Sequence, residues 1–280
     1  MKAHRLLRTV LYLPASNQKM VEKAVSLTSC DGFIFDCEDA VAKDAKDKAR
    51  EGVLKALSLM KNSERTIAVR VNGVNTPWFK DDCLVARGAD AVVLPKAEKA
   101  YEIHLLRALI GEKPDIWCMI ETPLGVLNSF ELAQLSNVLV MGTVDLANEL
   151  RCSTDPKLER FPLMNSIQHT LLAAKASGIQ ALDGVYIHLQ DEVGFEKECE
   201  QGFQLGFDGK TLIHPKTIDA ANRYFSPSEH TIAEAQKIVK AYESSPKGAT
   251  TLDGRLVEEL HVRRAQNTLR YADLIKNRKM

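Results

Sequence analysis

The chain has 280 residues, 45% of them hydrophobic and 26% charged, with 37 basic and 37 acidic side chains and no net charge. That composition suits a globular protein large enough for one α/β barrel or two small domains. A balanced charge gives no reason to expect nucleic-acid or membrane-surface binding, and no apolar run approaches the roughly 20 residues of a membrane helix.

Short apolar runs follow one another along the chain, each flanked by a longer amphipathic stretch. The predicted strands are Thr9–Leu13, Gly32–Phe35, Thr66–Val71, Ala91–Leu94, Ile116–Ile120, Val138–Met141, Gly184–Ile187 and Thr211–Ile213. Helical patterns lie between them, such as Lys43–Met60, Ala97–Ile110, Phe161–Ala176 and Glu192–Leu205. Parallel strands need such crossovers, and eight βα units in series predict a closed (β/α)₈ TIM barrel. A doubly wound open sheet is the alternative, but no GxGxxG follows the first strand. After Phe225 the rhythm changes. Ser226-Pro227-Ser228-Glu229 predicts a helix start with Ser226 as N-cap, the helix running to about Tyr242. Ser244 to Ala249 reads as a mobile loop, Thr251 to Gly254 as a turn, and Val257–Ile275 as a final helix. The expected division is therefore a barrel over residues 1–225 and a C-terminal helical lid or oligomerisation extension over 226–280.

Six cysteines are scattered with no CxxC pair, so zinc or disulfide frameworks are not expected. Reduced, structural thiols and the absence of a signal-peptide pattern at the N-terminus predict a cytoplasmic protein.

The predicted strand ends are unusually polar, and in a barrel of this kind the active site lies at those ends. Glu121 and Asp145 each follow a buried apolar run. A carboxylate there must be paired, hydrogen-bonded or bound to a cation, and two on successive strands suggest a hard divalent metal with oxygen ligands. Asp36, Glu38 and Asp39 close the second strand; they also suit capping of the helix that follows. Arg70 is flanked by Val69 and Val71, and a buried arginine needs a carboxylate or a substrate oxyanion. Lys96 fits either a structural or a site role. His188 and His214 read more readily as satisfied structural residues than as catalysts. Lys46 and Arg50, one turn apart, form either a solvated basic face or a contact for the phosphates of a large ligand.

These segments resemble the HpcH/HpaI aldolase and citrate lyase β-subunit family, in its CitE-like acyl-CoA lyase branch. The matching stretches run in order from Phe33 to Val41 through Lys46 and Arg50, Val69 to Asn72, Pro77 to Phe79, Val93 to Lys96, Ile120 to Pro123 and Gly142 to Leu146. They continue with Asp183 to Val185, Leu205 to Lys210, Ile213 to Pro215 and Phe225 to Ser228. The resemblance implies a Mg²⁺-dependent barrel working on an acyl-CoA thioester, with Glu121 and Asp145 as metal ligands and Arg70 on the substrate oxygen. It also implies catalytic roles for Asp36 and Glu38, and thioester contacts at Ser16, Lys46, Arg50 and Lys210. The resemblance further implies a homotrimer or hexamer, because in several members the C-terminal lid covers the site of a neighbouring subunit. Many members carry an aspartate in the lid; Glu258 stands at the matching position here, one methylene longer. The reaction implied is retro-Claisen cleavage of a 3-hydroxy-3-carboxyacyl-CoA, with (S)-citramalyl-CoA giving acetyl-CoA and pyruvate as the first expectation. A citrate lyase β subunit, a malyl-CoA lyase or a malyl-CoA thioesterase are the enzymatic alternatives. An assembly subunit or ligand sensor is the non-enzymatic one.

Overall fold

The computed structural model describes residues 5–244 and 250–278. The chain divides into two compact units, Met1–Asn222 and Arg223–Met280.

In the first unit eight parallel strands close into a barrel in simple sequence order. They are β1 (Thr9–Pro14), β2 (Gly32–Asp36), β3 (Thr66–Arg70), β4 (Ala91–Leu94), β5 (Asp115–Ile120), β6 (Val138–Met141), β7 (Gln180–Asp183) and β8 (Gly209–Leu212). Closure is completed by β1 pairing with β8, Thr9 opposite Lys210. The TIM barrel expected from the sequence is therefore the observed fold, and six of the eight strands fall within a residue of their predicted bounds.

The seventh strand is a correction. The apolar run Gly184–Ile187 is a loop, and the strand is Gln180–Asp183, in register with β6 through Leu139 and Ala181. The eighth likewise starts earlier, at Gly209 rather than Thr211. Both true strands carry a buried charge, Asp183 and Lys210, which broke the apolar pattern.

Strand side chains alternate between two faces. One set packs into a single core: Val10, Ile34, Ala68, Ala91, Val93, Trp117, Met119, Val138, Val140 and Leu182, with Tyr12 against it. These come from seven of the eight strands, so they fill the barrel interior. Counting on by two along each strand puts Asp36 after Ile34, Arg70 after Ala68 and Glu121 after Met119. The polar groups at the strand ends are thus the next inward-facing layer above an apolar plug, which is why charge there is buried and must be paired.

In the second unit the helices Glu229–Glu243 and Glu259–Asn277 pack together, burying Ala235, Val262 and Ala265. The first is capped by Ser228, whose hydroxyl accepts from the Thr231 amide, not by Ser226 as expected. The turn at Asp253-Gly254 joins two three-residue strands, Thr250–Leu252 and Arg255–Val257, into an unexpected antiparallel hairpin. Both turn residues have positive φ, 48° and 76°, the conformation a tight two-residue hairpin turn requires. The loop expected between Ser244 and Ala249 lies, from residue 245 onward, outside the described residues. No described helix is long and apolar enough to cross a membrane, and no disulfide links any of the six cysteines.

Candidate active site at the carboxyl ends of the barrel strands

Asp36 and Arg70 are direct partners in the β2–β3 register. The guanidinium donates from Nε (2.7 Å) and Nη2 (2.6 Å) to the two carboxylate oxygens, a bidentate pair with both residues buried. Asp36 also accepts the amides of Glu38 (2.9 Å) and Ala40 (3.1 Å). Burial alone would raise its pKa, but the Arg70 charge and these donors hold it below the usual carboxylate range. With four donors on two oxygens, Asp36 is an anchor for Arg70 and has no capacity left to move a proton. The Arg70 guanidinium lies 5.1 Å above the Tyr12 ring, and its Nη1 is 2.9 Å from Glu38 Oε2. The plane of the fork is fixed from below and from two sides.

Glu38 is the second anion, and burial pushes its pKa up. Its loop is braced from behind. Lys46 Nζ donates to the carbonyls of Cys37 (2.7 Å) and Glu38 (2.8 Å), and Asn72 Nδ2 donates to Cys37 as well. Asn72 and Arg50 both bind the buried Asp82 carboxylate. Lys46 is therefore not the phosphate contact expected from its charge: it is 5% exposed and spent on two carbonyls. Arg50 is held by Asp82 and Asp47, with 15% of its side chain exposed.

Lys210 is a clearer correction. It is 0% exposed and points to the outer layer, where Nζ meets Asp183 (3.2 Å), Glu198 on the helix Glu192–Leu205 (2.7 Å) and the Gly184 carbonyl (2.6 Å). Arg160 closes this network on Asp183 at 2.6 Å. It pins the barrel wall; Lys210 itself is fully enclosed, while Arg160 and Glu198 also line the cavity described below. No run of the sequence signalled it, because its four members lie in four separate segments. Ser16 sits half-buried in the turn after β1. His214 accepts the Lys216 amide as a cap, and exposed His188 meets the edge of Tyr186.

Glu121 follows β5 and is 2% exposed. Its Oε1 accepts the Lys96 amide at 2.8 Å. Burial pushes its pKa up to about 8, against the pull of Arg70 and Lys96. Gly142 at the end of β6 makes room for it: a Cβ there would lie 2.7 Å from Glu121 Oε2. Asp145, in the first turn of the helix Thr143–Leu150, is partly exposed, and its Oδ2 is 3.6 Å from Lys96 Nζ. A cavity of about 880 Å³ opens beside Thr143 and Val144, lined further by Arg160, Tyr186 and His188; the carboxylates themselves lie outside its lining.

The donor set fits Mg²⁺. Asp36, Glu38, Asp39, Glu121 and Asp145 outnumber Arg70 and Lys96, so the site has excess negative charge. No three His, Cys, Asp or Glu side chains among the described residues converge as a complete cage. Mg²⁺ is commonly held by one or two carboxylates, with water and substrate completing the shell.

The profile of the HpcH/HpaI aldolase/citrate lyase family matches residues 8–215. The chain belongs to this family. Among its relatives, a (3S)-malyl-CoA thioesterase of Cereibacter sphaeroides is 42% identical, over 96% of this chain and 95% of the relative. The citrate lyase subunit beta of Leuconostoc mesenteroides is 35% identical, over 98% and 95%. Among solved structures, CitE from Mycobacterium tuberculosis in complex with magnesium, acetoacetate and coenzyme A matches with a TM-score of 0.80 at 28% identity. That match covers 95% of this chain and 98% of the other.

Proposed function

We propose that the chain is a Mg²⁺-dependent lyase of 3-hydroxy-3-carboxyacyl-CoA thioesters, cleaving the C2–C3 bond of (S)-citramalyl-CoA or (3S)-malyl-CoA. The observation that carries the reading is the pairing of a fixed, buried guanidinium with two oxygen-donor carboxylates at one end of the barrel. Glu121 and Asp145 would hold the metal, which when bound supplies Lewis-acid charge to the substrate carboxylate and the 3-hydroxyl.

A carboxylate takes the proton of the 3-hydroxyl. The C3–O bond becomes a carbonyl, the C2–C3 bond breaks, and its electron pair moves onto the thioester as an enolate. Arg70, already oriented by Asp36, Glu38 and the Tyr12 ring, supplies positive charge for that oxyanion without reorganising during the reaction. The enolate is then protonated at C2 to give acetyl-CoA, and the 2-oxo acid departs. Glu258, whose side chain is exposed, is proposed as the proton acceptor. Glu38 serves to hold Arg70. The lid role of the second unit and a homotrimer or hexamer belong to the same proposal.

A second reading has a specific observation in its favour. Several relatives near 41% identity bear the name (3S)-malyl-CoA thioesterase. The same groups would serve water attack on the thioester carbonyl, with Arg70 stabilising a tetrahedral oxyanion instead of an enolate. One methyl separates the two substrates, a difference of about 1–3 kcal/mol in discrimination. The test is product analysis of purified protein with each thioester, with Mg²⁺ and with EDTA. Acetyl-CoA with pyruvate or glyoxylate, formed only with metal, supports the lyase. Free CoA with malate or citramalate supports the thioesterase. No turnover of either substrate refutes both.

A further inference from the structure

Lys96 adopts a backbone conformation that a side-chain-bearing residue rarely takes. Its φ is +48°, in the left-handed region, at a cost of order 1 kcal/mol. Two contacts result from that turn of the chain. The Lys96 amide is aimed at Glu121 Oε1, 2.8 Å away. The side chain is thrown over the acidic cluster, with Nζ 2.8 Å from Glu38 Oε1, 3.4 Å from Asp39 Oδ2 and 3.6 Å from Asp145 Oδ2. The amide thus holds one proposed metal ligand while the ammonium stands before the other.

We propose that Lys96 is a tethered counter-ion that competes with the divalent cation for this carboxylate cluster and so sets the metal affinity of the site. The inference rests on the reading of Glu121 and Asp145 as the metal pair. An ammonium 3.6 Å from Asp145 Oδ2 stands within ion-pair range of the oxygen that a cation would bind at about 2.1 Å. The two cannot share it without strong repulsion. The Lys96 side chain is 42% exposed, and its flexible four-carbon stem lets Nζ leave without moving the backbone. The amide bond to Glu121 remains when it does. Without metal, the ammonium offsets the mutual repulsion of Glu38, Asp39 and Asp145. With metal, that task passes to the ion.

Removing the ammonium must therefore tighten metal binding, whereas losing a ligand or a structural support must weaken it. The experiment is calorimetric titration of Mg²⁺, and separately Mn²⁺, into the metal-stripped full chain. Far-UV circular dichroism verifies the fold of each variant. Lys96→Met, which keeps the side-chain stem, is expected to bind about tenfold more tightly than wild type, the scale of one charge repulsion at a partly solvated site. Lys96→Gln carries the same expectation and is read in parallel. Lys96→Arg keeps the charge and is expected to stay within about threefold of wild type. Unchanged or weaker binding by both neutral variants overturns the inference. Wild type that binds no metal, or Glu121→Gln that binds as well as wild type, overturns the metal assignment and the inference with it.

Discussion

The Asp36–Arg70 pair gives the sharpest test of how the site is built. Asp36→Asn removes the charge but keeps the shape. It replaces one acceptor oxygen with a donor that faces one Arg70 N–H and one backbone amide, that of Glu38 or of Ala40. Two of the four hydrogen bonds to this side chain are lost, at least one of them charge-assisted. Such bonds contribute about 1.5–3 kcal/mol each, and breaking a buried ion pair costs about 3–5 kcal/mol. Glu38 remains 2.9 Å from Arg70 as a second anion, so the lower end of that range applies, about 3 kcal/mol. At about 2–4 °C per kcal/mol for a unit of this size, the melting temperature should fall by about 6–12 °C. The assay is thermal unfolding followed by circular dichroism, with Asp39→Asn as the control, because the Asp39 side chain is 59% exposed. Turnover should also fall by about tenfold or more, mainly in kcat, because Arg70 loses its orientation more than its charge. A shift below about 2 °C, or one equal to that of Asp39→Asn, would refute the argument that this pair organises the strand ends.

Three further outcomes are expected. Glu121→Gln and Asp145→Asn should each abolish Mg²⁺-dependent turnover while leaving the circular dichroism spectrum intact; full activity in both would sink the metal assignment. Glu258→Ala should lower kcat by about 10²-fold or more with little change in melting temperature, and Glu258→Asp should restore part of it. The third concerns pH. Burial would raise the Asp183 pKa, but Arg160 and Lys210 hold it below the ordinary carboxylate value. A depressed folded-state pKa contributes stability that is present above the unfolded value of about 3.9 and is lost as pH falls through the folded value. The stability gap between wild type and Asp183→Asn, measured by urea unfolding, should therefore be largest near pH 7 and shrink below about pH 4. A gap that widens in acid would contradict the assignment.

The barrel was legible because its strands are short apolar runs separated by helices of the right length. The reading failed where a strand carries charge. Gln180–Asp183 and the start of β8 look polar in sequence, but Asp183 and Lys210 neutralise each other across the register, and only the pairing makes them strand-compatible. The apolar loop Gly184–Ile187 was the decoy. In the site, Asp36, Arg70 and Glu121 were legible because charge that closes a buried strand has few alternatives. The basic residues were not. Lys46, Arg50 and Lys210 look alike in sequence, and their burial depends on partners 8 to 32 residues away, such as Glu38, Asp183 and Asp82. Lys96 could not be assigned because its position depends on one backbone dihedral. The hairpin of the second unit announced only its turn, since three-residue strands are too short to show alternation.

Glu121 and Asp145 are proposed as the metal site of a Mg²⁺-dependent thioester enzyme. The most direct measurement is an anomalous difference map from crystals grown with Mn²⁺ in place of Mg²⁺. One strong peak is expected about 2.0–2.3 Å from carboxylate oxygens of both residues, with Lys96 Nζ moved off Asp145. A peak elsewhere, or none at saturating Mn²⁺, would contradict the assignment.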